Sequence, residues 1–318
     1  MQCGEYVAHN SEVEAIFPGV ARLDDLMKAP YAVKYIDTDI IRILSPKDRC
    51  FEIPFHGFTV NRAAMDQAIA AEAVEEGAKL KTSTTALDVQ GNKVVTSAGI
   101  FEGKVIVGAD GPLSRVARSV GLQWPASEPA MSATVRGSFS NTTDMYFGDL
   151  APGGYAWVIP KGEIANVGIG VWPEYKGSLN TLFDAFLRRM KLPGVRGTGG
   201  YVPIKGPPPS TVKGNVILVG DAAGHVMATN GGGINTGMIC GRVAGEAVFE
   251  HLTTGLPLSE YEVRWRALVG KALERGRKIR KLSDRFFGNE RRLEFAMRFL
   301  GPKRMARAIR CKRLFLAR

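Results

Sequence analysis

The segment from Gly214 to Ala247, GNVILVGDAAGHVMATNGGGINTGMICGRVAGEA, constrains this chain more than any other. Val216 to Val219 is an unbroken run of β-branched residues and Leu, the pattern of a strand covered on both faces. Gly220-Asp221 follows at its carboxyl end, where open α/β sheets place their ligands. Asp221 is then a carboxylate held on a rigid strand end. Gly231, Gly232 and Gly233 strip the side chains from the start of the next helix. Bare N–H groups at the positive end of a helix dipole suit a phosphate or an electron-rich ring edge. The helix carries Gly237, Gly241, Ala244, Gly245 and Ala247, so its backbone can press close against a sheet or a cofactor.

A glycine-rich loop by itself only shapes a turn, but this chain repeats the arrangement. Val105 to Leu122, VIVGADGPLSRVARSVGL, again sets an acid and a glycine, Asp110-Gly111, at the end of an apolar strand. Ser114 stands where it would cap an amphipathic helix.

VGADGPLSRVAR and VILVGDAAGHVMATNGGGI resemble the two downstream FAD fingerprints of the aromatic-hydroxylase-type flavoproteins, and within them the geranylgeranyl reductase family. MQCGE at the N-terminus resembles that family's Cys-Gly-Glu segment, and GYAWVIPKG at Gly154 to Gly162 resembles its Tyr-x-Trp-x-Phe-Pro-x-Gly motif. The resemblance covers roughly residues 1 to 255 and implies FAD as cofactor. By that likeness Asp221, after Gly220, binds the ribityl or pyrophosphate part, and Gly232, Gly233 and Ile234 face the pyrimidine edge of the flavin. Ala109 and Asp110 belong to the second fingerprint. Cys3 and Gly4 sit near the flavin, and Arg62, which opens a helix in TVNRAAMDQAIAAEAVEEGAKL, lies along the cofactor. Ile159 departs from the motif's aromatic, and MATN at Met227 to Asn230 departs from the family's Pro-containing loop. A complete member begins with a strand, a G-x-G-x-x-G turn, a helix and a second strand ending in an acid. The first residues here match a segment some tens of residues into the family, so the chain reads as an N-terminally truncated copy or one begun at an internal Met.

The implied fold class is α/β: an aromatic-hydroxylase-type, Rossmann-like FAD-binding fold, incomplete because its first βαβ is missing, with an antiparallel β-sheet substrate domain and a C-terminal helical region. Residues 1–30, 59–129 and 207–255 are assigned to the FAD-binding domain, 31–58 and 130–206 to the substrate domain, and 256–318 to the helical region. Within these, a β-rich stretch turns at Ser45-Pro46 and Asp48, and a helix runs from about Asn61 to Glu76. Strands are expected at Ala78–Thr82, Ala86–Gln90 and Val94–Ser97, the last two forming a hairpin at Gly91-Asn92. Four more are expected at Ser132–Phe139, Met145–Phe147, Tyr155–Ile159 and Ala165–Val171, with a helix at Leu179–Met190.

With 318 residues, 45% hydrophobic content and a mean hydropathy of −0.04, the chain can bury a sizeable core. No apolar run approaches the roughly eighteen residues of a spanning helix, and Met1 to Asn10 does not read as a signal peptide. A cytoplasmic location follows. Cys3, Cys50, Cys240 and Cys311 show no metal spacing and read as free thiols; no metal is expected. Charge is uneven: residues 271–318 hold 17 Lys and Arg against 4 Asp and Glu, a net of +13, so the rest carries −2. Phe295, Phe299 and Phe315 are among the apolar residues interleaved with it. Basic amphipathic helices of this kind lie on anionic lipid, so peripheral contact with the inner face of the membrane is expected. No recognition motif accompanies the basic tail, and nucleic acid is not an expected partner.

The chemistry implied by the resemblance is reduction of isolated prenyl double bonds in geranylgeranyl lipids, as in archaeal ether-lipid biosynthesis. An unactivated alkene has no carbonyl to polarise, so hydride delivery from reduced flavin must be coupled to proton donation. The protein must supply a dry tunnel and one acid. Tyr155, Trp157, Ile159 and Pro160 are candidate tunnel residues and Cys3 a candidate acid. His225, in the loop between Asp221 and the glycines, reads as a backbone-bonding residue. The electron donor, whether NADPH, NADH or ferredoxin, leaves no motif. A flavin monooxygenase and a non-catalytic remnant are the alternatives.

Overall fold

The computed structural model describes residues 3–315 apart from Pro173 and Lys176. The chain opens with β1 (Tyr6–Ala8), α1 (Asn10–Ile16) and α2 (Leu23–Ala32), then the long hairpin β2 (Lys34–Leu44) and β3 (Cys50–Val60). Helix α3 (Arg62–Glu75) leads to a small meander, β4 (Ala86–Gln90), β5 (Lys93–Thr96) and β6 (Gly99–Glu102). β7 (Ile106–Gly108) and α4 (Arg115–Ser119) follow. The next stretch holds β8 (Glu128–Arg136), β9 (Thr143–Tyr146), β10 (Tyr155–Pro160), β11 (Ile164–Gly170), α5 (Leu179–Arg189) and β12 (Thr198–Val202). β13 (Val212–Lys213), β14 (Val216–Leu218) and α6 (Ile234–Thr254) return to the glycine-rich segment. The chain closes with α7 (Ser259–Trp265), which continues through a π turn into α8 (Lys271–Phe287), and with α9 (Glu290–Ile309).

Two distant stretches of sequence build one eight-stranded sheet in the order β1-β3-β2-β9-β10-β11-β8-β12. Every pairing is antiparallel except β2 with β9, which is parallel and joins the halves. Alternation along β10 and β11 sends Ala156, Val158, Val167 and Ile169 to one face, where they pack on Phe183, Phe186 and Leu187 of α5. Ser178 caps that helix through the Thr181 N–H at 3.3 Å. Each of the larger of these buried side chains, Val, Ile, Leu and Phe, contributes about 2 kcal/mol of transfer free energy. A smaller sheet, β13-β14-β7, lies beside the large one, with β14 and β7 parallel. Tyr261 Oη donates to the Leu218 carbonyl at 2.7 Å, and Trp265 Nε1 donates to Thr211 Oγ1 at 3.0 Å, which fastens α7 behind β14. The outer edge of β7 has no strand partner among the described residues, and Val107 is 48% exposed.

The hairpin at Gly91-Asn92, the Asn61-capped helix and the strands around Met145, Tyr155 and Ala165 form as the pattern predicts. Residues 78–82 do not. They are exposed coil and turn, with Leu80 61% exposed, because among the described residues no strand lies alongside to take up their backbone bonds. β8 begins at Glu128, ahead of the predicted Ser132, and β12, α1 and α2 lie where sequence pattern gave no element.

Arg280 of α8 ties the C-terminal helices to the sheet. Its Nη2 donates to Glu128 at 3.1 Å and to the Gly153 carbonyl at 2.7 Å. Burial pushes the Glu128 carboxyl up to about 7, with Arg280 pulling the other way. An unfolded glutamate ionises near 4.5, so this group's contribution is complete below that value and is lost as pH rises through 7. The melting temperature should fall from pH 5 to pH 8 by more in the native chain than in Glu128→Gln, as read by thermal denaturation in matched buffers. A backbone test is independent of charge. A Cβ on Gly154 would overlap the Gly170 carbonyl, whereas one on Gly245 of α6 meets nothing within 4 Å. Gly154→Ala should cost about 2 kcal/mol or more, while Gly245→Ala should gain up to about 1 kcal/mol, both read from urea unfolding.

Candidate functional site

The carboxyl ends of β7 and β14 lie side by side, so Ala109-Asp110 and Gly220-Asp221 leave the small sheet at the same edge. Their acids do different work. Asp110 turns back on its own chain, accepting from Ser114 Oγ at 2.6 Å and from the backbone of Arg115 and Val116 at 2.7 and 3.1 Å. Ser114 caps α4 by accepting from the Ala117 N–H at 2.9 Å, and Asp110 takes the two preceding amides and spans the turn at Gly111, whose φ is +84°. Asp221 sits in a short 3₁₀ turn, Gly220–Ala223. Burial raises its carboxyl while Arg62 lowers it, so the strand-end acid and the helix-opening Arg share one electrostatic neighbourhood.

Gly231 to Gly233 meet that neighbourhood from the other side. Gly231 adopts a φ of +70°, the left-handed region that favours glycine, and Met227 and Gly232 bridge the loop. A Cβ on Gly233 would lie 3.3 Å from Asp221 Oδ1, so the helix start is pressed against the acid. No side chain caps α6, which leaves its opening amides without a side-chain acceptor. Ile234 packs partly buried beside Val7, Phe58 and Met65. Asn235 accepts from the Ala8 N–H at 3.2 Å and donates to its carbonyl at 3.3 Å, which binds α6 to β1.

One face of β10 closes the site. Residues two apart on a strand share a face, so Tyr155, Trp157 and Ile159 point together. Tyr155 Oη donates to the Asn230 carbonyl at 2.6 Å, against the glycine loop. Trp157 Nε1 donates to Asn166 Oδ1 at 2.8 Å, and Asn166 Nδ2 donates to the Cys3 carbonyl at 2.9 Å. Ile159 Cδ1 would lie 3.0 Å from a Cβ on Gly4. Pro160 falls on the opposite face with Ala156 and Val158. That alternation separates it from its three neighbours in the motif.

Glu5 joins these parts. It holds a φ of +58° and accepts from Lys161 Nζ at 2.6 Å, from the Arg62 N–H at 3.2 Å and from Asn166 Nδ2 at 3.4 Å. Lys161 is buried beneath the Tyr35 ring, 4.5 Å from its centroid. Arg62 donates to Asp66 Oδ1 at 2.8 Å and points Nη1 at Cys3 Sγ, 3.7 Å away. Burial raises the Cys3 thiol above its ordinary value, with Arg62 opposing, so the thiol keeps its proton at neutral pH. Glu5, Lys161, Asn166 and Asn235 carry this framework, and sequence reading assigned them no role. Glu5 and Lys161 stood inside the quoted motifs, but only long-range contact reveals what they hold.

His225 is fully buried, accepts from the Gly220 N–H at 3.2 Å and lies 4.5 Å from the Trp265 ring. Burial pushes it down to about 3, so it stays neutral and shapes the turn. The remaining set fits the flavin half of a dinucleotide cofactor: uncapped helix amides, a half-buried carboxylate beside an Arg, and an opening along the glycine face of α6. Gly237, Gly241 and Gly245 extend that opening along α6, each with nothing within 4 Å of an added Cβ.

Residues 131–197 match the family model of the geranylgeranyl reductase catalytic domain, the stretch that contains β10 and Asn166. The chain is 34% identical over 252 residues to digeranylgeranylglycerophospholipid reductase 2 of Methanothermobacter thermautotrophicus, a match covering 72% of this chain and 65% of that protein. It is 32% identical over 296 residues to digeranylgeranylglycerophospholipid reductase 2 of Methanopyrus kandleri, covering 81% and 73%. The chain thus spans just under two thirds of the first relative's length and more of the second's. A solved geranylgeranyl bacteriochlorophyll reductase-like protein from Thermoplasma acidophilum superposes with a TM-score of 0.78 at 24% identity, covering 91% of this chain and 80% of that one. A probable FAD-dependent monooxygenase from Pseudomonas aeruginosa gives 0.66 at 15%, covering 93% and 90%. These two share the fold. Sequence identity across the larger part of the Methanopyrus protein goes further: the chain belongs to the geranylgeranyl reductase family.

Proposed function

We propose that this chain reduces isolated prenyl double bonds of geranylgeranyl lipids, with FAD held where α6, Asp221 and Arg62 meet. The reading rests on one observation: a single face of β10 abuts both the glycine loop, through Tyr155 and Asn230, and the Cys3-Gly4 segment, through Ile159 and the Trp157–Asn166 pair. A substrate lying on that face is therefore held against the cofactor site and away from water. Gly233 and Ile234 would offer amides to the flavin pyrimidine edge beside Gly232, whose own N–H donates to Asn230 Oδ1 at 2.9 Å, and Asp221 after Gly220 would take the ribityl or pyrophosphate part. Ala109 and Asp110 shape the adjoining strand end. When bound and reduced, the flavin supplies hydride.

The chain's own residues supply the rest. Tyr155, Trp157 and Ile159 present apolar surface to a prenyl chain, and Pro160 stiffens the strand from its far side. Cys3 Sγ holds a proton because burial outweighs the opposing pull of the neighbouring Arg62 guanidinium. That proton is the one we assign to the alkene carbon opposite the hydride. The basic C-terminal region, on the cytoplasmic side, would bring the site to lipid. No helix among the described residues is long and apolar enough to cross a membrane.

Anaerobic incubation of the FAD-loaded, dithionite-reduced protein with a geranylgeranyl lipid should add two hydrogens per reduced bond, read by mass spectrometry. Cys3→Ala should retain yellow colour and lower the rate roughly 100-fold, the usual size of a lost general acid. Asp221→Ala should weaken FAD binding about tenfold or more, read by flavin fluorescence. Substrate-dependent oxygen uptake with a hydroxylated product would replace this reading with the monooxygenase one. A colourless protein that takes up no FAD would leave a non-catalytic binding role.

A further inference from the structure

Helix α9 is broken at Gly301-Pro302, where the backbone leaves helical geometry at a φ of +60°; both segments dock on the core, and the first also has a free face. Leu293, Met297, Met305 and Ile309 are buried in the main core, and Arg310, just past the helix, grips Glu12 of α1 with two bonds of 2.6 and 2.7 Å. On the outer side Phe295 is 70% and Phe299 60% exposed, one turn apart. Residues three and four apart are neighbours on a helix surface, so Arg291, Arg292 and Arg298 flank Phe295 on that same side. Among the described residues none of these three arginines is paired with a carboxylate.

The free face continues beyond the helix. The guanidinium carbon of Arg304 lies 5.5 Å from the Phe299 ring centroid and 5.1 Å from that of Phe315, which is itself 53% exposed. Phe315 also lines an open groove of about 500 Å³ between α8 and residues 312–315. Lys271, Arg275, Lys278, Lys312 and Arg313 line it together with Ile279 and Leu314. Glu274 is the one acidic residue lining the groove, and its carboxylate is already taken by Arg277 at 2.9 Å and Lys278 at 3.5 Å. Three exposed Phe rings thus lie beside a run of cations of which, among the described residues, Lys278 alone is paired with a carboxylate, through Glu274.

We propose that this surface docks the protein on an anionic lipid bilayer, with Phe295, Phe299 and Phe315 entering the acyl boundary and the groove between α8 and the C-terminal segment receiving a lipid phosphate. The proposal deepens the lipid reading above and rests on it for the choice of partner. Three exposed Phe rings without a polar tip, set beside arginines, combine apolar area with positive charge, which is what holds a surface in the interface of an anionic bilayer. The surrounding arginines match the negative potential of anionic headgroups. Docking on α9 leaves its core-facing side and the β10 face undisturbed, so membrane binding and turnover are separable.

The test is co-sedimentation of the full chain with phosphatidylglycerol and with phosphatidylcholine vesicles, both free of prenyl substrate. The docked protein should partition at least tenfold better onto phosphatidylglycerol at roughly physiological salt, about 0.15 M. Phe295→Ser with Phe299→Ser should lower that partition about tenfold, with the melting temperature kept because neither ring is in the core. Arg291→Gln with Arg298→Gln should weaken binding and reduce its salt dependence. Both double variants should reduce detergent-dispersed substrate at the native rate, so a loss of turnover alone bears on the reductase reading and not on this one. Equal partition onto the two lipids, no effect of the Phe pair, or tighter binding to random-sequence RNA than to phosphatidylglycerol vesicles would each overturn it.

Discussion

The carboxylate of Glu5 accepts from the ammonium of Lys161, the amide of Asn166 and the backbone of Arg62, and through them it joins three parts of the chain that lie far apart in sequence. A charge this enclosed is tolerated only when its partners are complete, and removing one from a buried pair typically costs about 3 to 5 kcal/mol. The position of Cys3 and Gly4 follows from that clasp, because the residues preceding Glu5 are held down by the Asn166 bond to the Cys3 carbonyl. The orientation of Arg62 follows as well, since its backbone is fixed at Glu5 and its side chain is shared between Asp66 and Cys3. Beyond the clasp, the N-terminal segment is held by the pairing of β1 with β3 and by Asn235 on the Ala8 backbone.

The two acids at the strand ends show how one motif yields two roles. Asp110 satisfies its oxygens within six residues and so spends its charge on starting a helix. Asp221 has no such local donors among the described contacts; burial raises its carboxyl, and only the charge of Arg62 offsets this. Buried carboxylates that lack donors of their own are the ones free to bind something else.

The strand ends, the glycine loop and the helix that Asn61 opens were legible because each is written in contiguous residues with local physics. An apolar run stops at an acid, glycines permit a positive φ, and a capping side chain reaches a backbone amide three residues on. The motif around Tyr155 was legible too, although only alternation in a real strand shows that Pro160 looks the other way. The clasp was not legible, because its members are 57, 156 and 161 residues apart and none is unusual where it stands. Ala78 to Thr82 misled for the opposite reason: a β-like composition found no neighbouring strand to pair with among the described residues. β12 shows the converse, since Thr-Gly-Gly-Tyr-Val has weak strand character and is ordered by pairing along β8.

The parallel seam between β2 and β9 bears on how the molecule is made. Its register matches Ile41 to Leu44 with Thr143 to Tyr146, so about a hundred residues separate the partners. Closing so long a loop is entropically unfavourable before neighbouring contacts reward it, which slows folding. During synthesis, β2 and β3 emerge as a hairpin whose inner edge stays open until β9 arrives, at rates of about 5 to 20 residues per second. Across that interval the edge of β2 offers unpaired backbone to any other chain. Cys50, exposed at the start of β3, borders the same hairpin. The seam that unites the finished sheet is thus also the place where an unfinished one is most open to mispairing.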